Sequence, residues 1–137
     1  MNVVLDTIVL LRGLIKPYGQ SGRILFDHFG DYGLVVSPTI VTEYLEVLRR
    51  PELVRKYQSV ANRDLQAILR LIERATVVVP TSVPAVSRDP TDDKFLAAAK
   101  VGNADVIVTA DNDLLDLGAY EQIAIVTAEA FLLSLEL

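Results

Sequence analysis

The sequence predicts a single α/β domain built on a parallel sheet. Its 137 residues are the length of one ordinary domain. Short runs of almost pure Val, Ile and Leu, such as residues 34–36 and 106–108, alternate with stretches of helical periodicity. Strands of that composition are buried on both faces, which places them in a parallel sheet between helices. The 51% hydrophobic content supplies a core, and 23% charged residues with that much apolar matter exclude disorder.

Each element follows in order. Residues 2–5 are an apolar run too short for a helix and form the expected first strand, which ends on Asp6. Residues 7–15 continue as a helix, closed by the loop Lys16-Pro17-Tyr18-Gly19. Ser21 is the expected cap of a short helix with Ile24, Leu25 and Phe29 on one face. After the strand 34–36, Ser37-Pro38 has the cap-then-proline order that opens a helix. That helix carries Ile40, Val41, Tyr44, Leu45 and Leu48 at helical spacing, with Arg49 and Arg50 in its last turn.

Pro51 stops this helix and starts the segment 52–57, and a further helix over 61–74 shows Leu65, Ile68, Leu69 and Ile72. A strand over 76–79 and an irregular stretch over 81–88 follow. Thr91 is the expected cap of a helix over 92–101, which Gly102 closes. Then come a strand at 106–108, a short helix at 112–117 and a strand at 123–126. Thr127 caps the last helix, whose Phe131, Leu132, Leu133 and Leu135, with Leu137, exceed what one buried face needs. Both core packing and a homodimer contact are readings of that surplus. No repeat or linker divides the chain, so residues 1–137 read as one domain.

Composition narrows the chemistry. With 13 Lys and Arg against 18 Asp and Glu, the net charge is −5, which argues against coating nucleic acid or anionic membrane by charge alone. There is no cysteine, so thiolate zinc sites and cysteine nucleophiles are absent. The one histidine, His28, excludes a His-pair nuclease and any multi-His metal site. Chemistry here must use carboxylates, hydroxyls, lysines or a bound metal. The N-terminus has no basic start followed by an apolar stretch, and the longest charge-free run, 75–87, contains two prolines. A membrane span needs about 20 apolar residues, so the expectation is a cytoplasmic protein without membrane contact.

Ligands of open parallel sheets bind beyond the carboxyl ends of the strands. Asp6 and Asp111 fall there, with Asp113 two residues further on, Glu43 in the helix after the second strand, and Asp93 beside Asp92 and Asp89. Helix dipoles alone account for Asp92, Asp93 and Asp113, a turn accounts for Asp111, and Glu43 reads as an exposed helix charge. Asp6 ends a buried strand and has no such excuse. As a set, carboxylates gathered at one edge repel unless a cation neutralises them, and an all-oxygen site suits Mg²⁺ or Mn²⁺.

Competing machinery is missing. The seven glycines form no G-x-G-x-x-G, no Gly-Lys-Ser/Thr occurs, and Asp6-Thr7-Ile8 lacks the second aspartate of a haloacid-dehalogenase-like motif. Residues 49–74 carry seven basic and three acidic groups, a local basic face inside an acidic chain. Such a face holds phosphates beside a metal site.

Four segments in this order resemble a known family. They are Val3-Val4-Leu5-Asp6-Thr7, then Ser37-Pro38-Thr39-Ile40-Val41-Thr42-Glu43 running on to Pro51, then Arg88-Asp89-Pro90-Thr91-Asp92-Asp93 with the Leu-Ala-Ala run that follows, and Val108-Thr109-Ala110-Asp111-Asn112-Asp113. Along essentially the whole chain the sequence resembles a PIN domain, the fold of metal-dependent ribonucleases that includes many toxins of toxin–antitoxin pairs.

The resemblance implies a three-layer α/β/α sandwich with a mainly parallel sheet of about five strands. It implies Asp6, Glu43, Asp93 and Asp111 as catalytic metal ligands for Mg²⁺ or Mn²⁺, with Asp113 auxiliary and Thr7, Ser37 and Thr109 supporting. Arg49, Arg50, Arg55 and Lys56 are then the candidate RNA contacts. The implied reaction is hydrolysis of single-stranded RNA that leaves a 5′-phosphate and a 3′-hydroxyl, and the implied partners are an antitoxin protein and a second copy of the chain. One position departs: Ile8 stands where the family usually has asparagine. A PIN-fold binding module without catalysis is therefore the alternative, and an RNA-processing nuclease without an antitoxin is a third reading.

Overall fold

The computed structural model describes residues 1–47, 49, 58–82 and 89–137, with side chains left undescribed over 58–65. A six-stranded sheet carries the architecture, in the order β3-β2-β1-β4-β6-β5. Its strands are β1 Asn2–Leu5, β2 Gly33–Val36, β3 Thr76–Val77, β4 Val106–Val108, β5 Ala119–Tyr120 and β6 Ile123–Val126. Every pairing is parallel except β5 with β6. The helices are α1 Thr7–Ile15, α2 Gln20–Phe26, α3 Pro38–Val47, α4 Gln58–Arg74, α5 Asp93–Val101, α6 Asn112–Leu115 and α7 Ala128–Glu136. A 3₁₀ turn, Pro90–Asp92, leads into α5.

The apolar runs occupy the positions that their composition demands. Val3, Val4 and Leu5 of β1, Leu34, Val35 and Val36 of β2, and Ile107 and Val108 of β4 are all buried. Helices α1, α2 and α7 pack together, α5 packs against β1, β2 and β4, and α4 lies against β2. One core cluster joins these residues to Leu10, Leu14, Ile40, Tyr44, Ile68, Leu96 and Phe131. The surplus on α7 is partly resolved by this packing. Phe131 and Leu132 are buried and Phe131 meets Tyr32 edge-on at 5.6 Å, whereas Leu133 and Leu137 stay exposed.

Several boundaries differ from expectation for local reasons. Helix α2 starts one residue before Ser21, capped by the Gly19 backbone, and Ser21 lies buried in its first turn. The third strand pairs over two residues, with Val78 N–H still donating to Val36 O at 2.8 Å. Helix α6 stops at Leu115, and Gly118, with φ of 70°, turns the chain into β5. The segment 52–57, with Leu48, Arg50, Pro51 and most of 81–88, lies outside the described residues.

The strand order fixes where a ligand can bind. From β1 the chain builds outward through β2 and β3, then returns to place β4 on the other side of β1. The connections leaving β1 and β4 therefore diverge, which opens a crevice at their carboxyl ends. Asp6 follows β1 there, and Thr109-Ala110-Asp111 follows β4.

Candidate metal centre

Asp6 is the floor of the site. Its backbone N–H donates to Val108 O at 3.0 Å, tying the end of β1 to the end of β4. Its Oδ1 accepts from Val9 N at 2.8 Å and so caps α1. Its Oδ2 accepts from Ala110 N at 3.1 Å and from the Thr109 hydroxyl. Asp6 is only 3% exposed, and this burial raises its pKa, against the three hydrogen bonds that favour the charged form. Behind it, the buried Tyr44 hydroxyl donates to Leu5 O at 2.5 Å and fixes the strand end. Burial first, and then the charge of Asp6, push the Tyr44 hydroxyl well above its ordinary pKa, so it stays a donor.

A cleft of about 250 Å³ opens above this floor, lined by Asp6, Thr7, Glu43, Asp92, Lys94 and Asp111 among others. Asp89, Asp92, Asp111 and Asp113 each offer a carboxylate oxygen, and these four oxygens lie within 4.8 Å of one another. Caps hold two of them in place. Asp89 accepts from Thr91 N at 3.0 Å and its hydroxyl at 2.8 Å, and Asp111 Oδ1 accepts from Asp113 N at 2.8 Å. The capping and ligand readings are thus compatible: a carboxylate has about four acceptor sites, and a cap uses one or two. The hydrogen bonds from Thr91 hold the exposed Asp89 carboxyl below its usual pKa.

Asp92 is the unusual member. It is 8% exposed, and its Oδ2 is buried with no hydrogen-bond partner among the described residues. Burial pushes its pKa up to about 7, aided by a hydrogen bond with Asp111 and by the charges of Asp111, Asp89 and Asp6. A buried acceptor without a donor costs about 1–3 kcal/mol, more if charged. A proton shared with Asp111 relieves that cost, and so does a cation. Four clustered carboxylates with one orphaned buried oxygen fit a hard divalent metal with oxygen ligands.

The residues singled out from sequence fall into distinct places. Asp6, Glu43 and Asp111 line the cleft together, with Thr7 beside them. Asp113 joins the close carboxylate group, and Thr109 supports Asp6. The Ser37 Oγ accepts from Ile40 N at 3.2 Å and caps α3, and Ser37 is not among the residues lining the cleft. Glu43 accepts from the Thr7 hydroxyl on Oε2 and pairs with Lys94 Nζ at 2.9 Å on Oε1. Both of its oxygens are therefore engaged. Arg49 is exposed, while Arg50, Arg55 and Lys56 lie outside the described residues.

Asp93 is buried in the first turn of α5 and is not among the residues lining the cleft; Asp92 is. Asp89-Pro90, not Thr91, opens this segment. Asp89 caps a 3₁₀ turn with proline at its start, the same order that Ser37-Pro38 uses, and α5 begins only at Asp93. That signal was present in the sequence. Lys94, 17% exposed and also donating to Thr91 O at 2.5 Å, lines the cleft as well, and sequence reasoning did not single it out.

A curated relative, the uncharacterized protein MJ1680 of Methanocaldococcus jannaschii, is 34% identical over 119 residues, covering 85% of this chain and 75% of its own. The crystal structure of PAE2754 from Pyrobaculum aerophilum superposes with a TM-score of 0.64 over 99% of this chain and 90% of that one. At 14% identity it shows a shared fold. The sequence model of the family described as PIN domain matches residues 2–113, and the chain belongs to the PIN-domain family.

Proposed function

We propose that the protein is a divalent-metal-dependent nuclease that hydrolyses phosphodiester bonds of single-stranded RNA in the Asp6–Asp92–Asp111 cleft. Family membership suggests a nuclease, and the orphaned buried Oδ2 of Asp92 among four carboxylates carries the reading. Asp92, Asp111, Asp89 and Asp113 would hold Mg²⁺ or Mn²⁺, with Asp92 in the role that the sequence suggested for Asp93. A cation bound there lowers the pKa of water and neutralises charge on the phosphate.

The chain's own residues do the positioning. Asp6 keeps about one acceptor site free after its three hydrogen bonds and can take a proton of the attacking water. Glu43 holds Lys94 on the cleft wall, where the ammonium can contact a phosphate oxygen. Glu43 is thus a positioning residue for Lys94. Hydrolysis by this arrangement leaves a 5′-phosphate and a 3′-hydroxyl and needs no histidine.

End-labelled single-stranded RNA incubated with the protein and Mn²⁺ tests this. Cleavage that EDTA abolishes, with 5′-phosphate product ends, is the expected outcome. Cleavage in EDTA, or 2′,3′-cyclic phosphate ends, contradicts it.

One observation favours a second reading, a binding module of low activity. Ile8 is 43% exposed and lines the cleft, where it brings no polar atom. Ile8→Asn supplies one, and we expect it to raise cleavage at limiting Mn²⁺ at least severalfold. An unchanged rate from a wild type that binds but does not cut RNA supports the binding module. The toxin role, with an antitoxin protein as partner, rests on the family resemblance. Induced expression that arrests growth in wild type but not in Asp92→Asn is its test. A homodimer is the expected assembly, for which sedimentation gives the direct answer.

A further inference from the structure

We infer that a second depression, on the other side of α1 from the acidic cleft, binds single-stranded nucleic acid next to the scissile phosphate. Arg12 and Lys16 take backbone phosphates there, and Tyr18 stacks on a base. The inference rests on the proposed nuclease reading for the identity of the strand, and it extends that reading to residues outside the metal centre.

Helix α1 separates the two depressions. Thr7, Ile8 and Leu11 line the acidic cleft, whereas Val9, Arg12, Ile15 and Lys16 line a cavity of about 580 Å³. The two meet at the end of β4. Thr109 and Ala110 line the cavity, and both donate to Asp6 Oδ2 on the floor of the cleft, Ala110 N at 3.1 Å. A strand whose phosphate lies at the carboxylates can cross this junction and continue into the cavity.

Its chemistry fits a polyanion. Arg12 and Lys16 make no ion pair among the described residues, although the chain is acidic overall. Among the described residues Glu129 is the one acidic residue lining the cavity, so the balance of these lining residues is positive. Tyr18 is 96% exposed, an aromatic side chain with nothing covering it, between Lys16 and Gly19 that both line the cavity. Cations that track a backbone beside an open aromatic ring are how proteins hold single strands without reading sequence. Paired bases within a duplex offer no free face to Tyr18, so the arrangement selects single strands.

The test uses fluorescence anisotropy with a fluorescein-labelled ten-nucleotide RNA, in the Asp92→Asn background with Mn²⁺, over a range of salt. Tyr18→Ala weakens binding of the single strand by about five- to a hundredfold and leaves duplex RNA unaffected. Arg12→Ala combined with Lys16→Ala flattens the dependence of log K on log salt by about 1.4, two phosphate contacts at 0.7 each. All three side chains are exposed, so melting curves should match the parent. Variants that bind within twofold of the parent with an unchanged salt slope overturn the inference. Equal weakening of single strand and duplex by Tyr18→Ala overturns the stacking role. RNA integrity on a gel is read in parallel: cutting by Asp92→Asn counts against the proposed function and leaves the binding comparison standing.

Discussion

Asp92→Asn lowers RNA cleavage by at least about a thousandfold, roughly 4 kcal/mol of transition-state stabilisation, whereas Asp93→Asn stays within about tenfold of wild type. The two residues are neighbours in sequence and both are buried, so the contrast separates the site from its surroundings. Asp92 lines the cleft and brings the oxygen that lacks a partner among the described residues; Asp93 lies in the first turn of α5 and is not among the lining residues. Single-turnover rates at saturating Mn²⁺ measure the difference. Equal loss in both variants, with both folded, would return Asp93 to the ligand set.

Without metal, the protein loses stability as pH rises from about 4 to 7, and Mn²⁺ restores it. The sign follows from Asp92, whose folded pKa of about 7 lies above its ordinary value of 3.8. Between those values the folded chain holds a proton that the unfolded chain has lost, so stability falls across the window and levels off above it. Asp6, raised by its own burial, acts in the same direction. Asp89, lowered, acts in the opposite direction, and its contribution is lost only below its ordinary pKa of 3.8, at more acid pH than this window. Mn²⁺ at a hundred times its dissociation constant adds about 2.7 kcal/mol, on the order of 10 °C in Tm. Asp92→Asn should flatten the pH dependence, raise the metal-free Tm near pH 7.5 and remove most of the Mn²⁺ shift. Thermal melts from pH 4.5 to 8 check all three, and a wild-type Tm that rises over this range with no metal contradicts the account.

Much of this was legible because burial leaves a plain mark. Strands such as Val106–Val108 are covered on both faces and so are wholly apolar, and Ser37-Pro38 announces its helix chemically. Strand β5 was not legible. It pairs Ala119 with Ala124 and Tyr120 with Ile123 through a two-residue turn, where Glu121 takes φ of 54°. Hairpins of that kind usually advertise themselves with glycine or asparagine, and Glu121-Gln122 does not. In the site, Asp6 and Asp111 could be placed because each directly follows a strand. For the third carboxylate the sequence offers both Asp92 and Asp93, and our proposal of Asp92 rests on its place in the cleft lining, which no sequence pattern reveals. Lys94 was invisible for another reason. Its pairing with Glu43 joins residues 51 positions apart, which periodicity cannot reveal.

The central claim is that Asp92 and Asp111, with Asp89 and Asp113 beside them, form a divalent metal site over Asp6. Anomalous scattering from a crystal grown or soaked with Mn²⁺ tests it most directly. The account predicts an ion within bonding distance of the Asp92 and Asp111 carboxylates, with the Glu43–Lys94 pair intact. An ion held by Glu43 and Asp93 without Asp92, or an Mn²⁺-saturated crystal with no peak at the carboxylates, would contradict it.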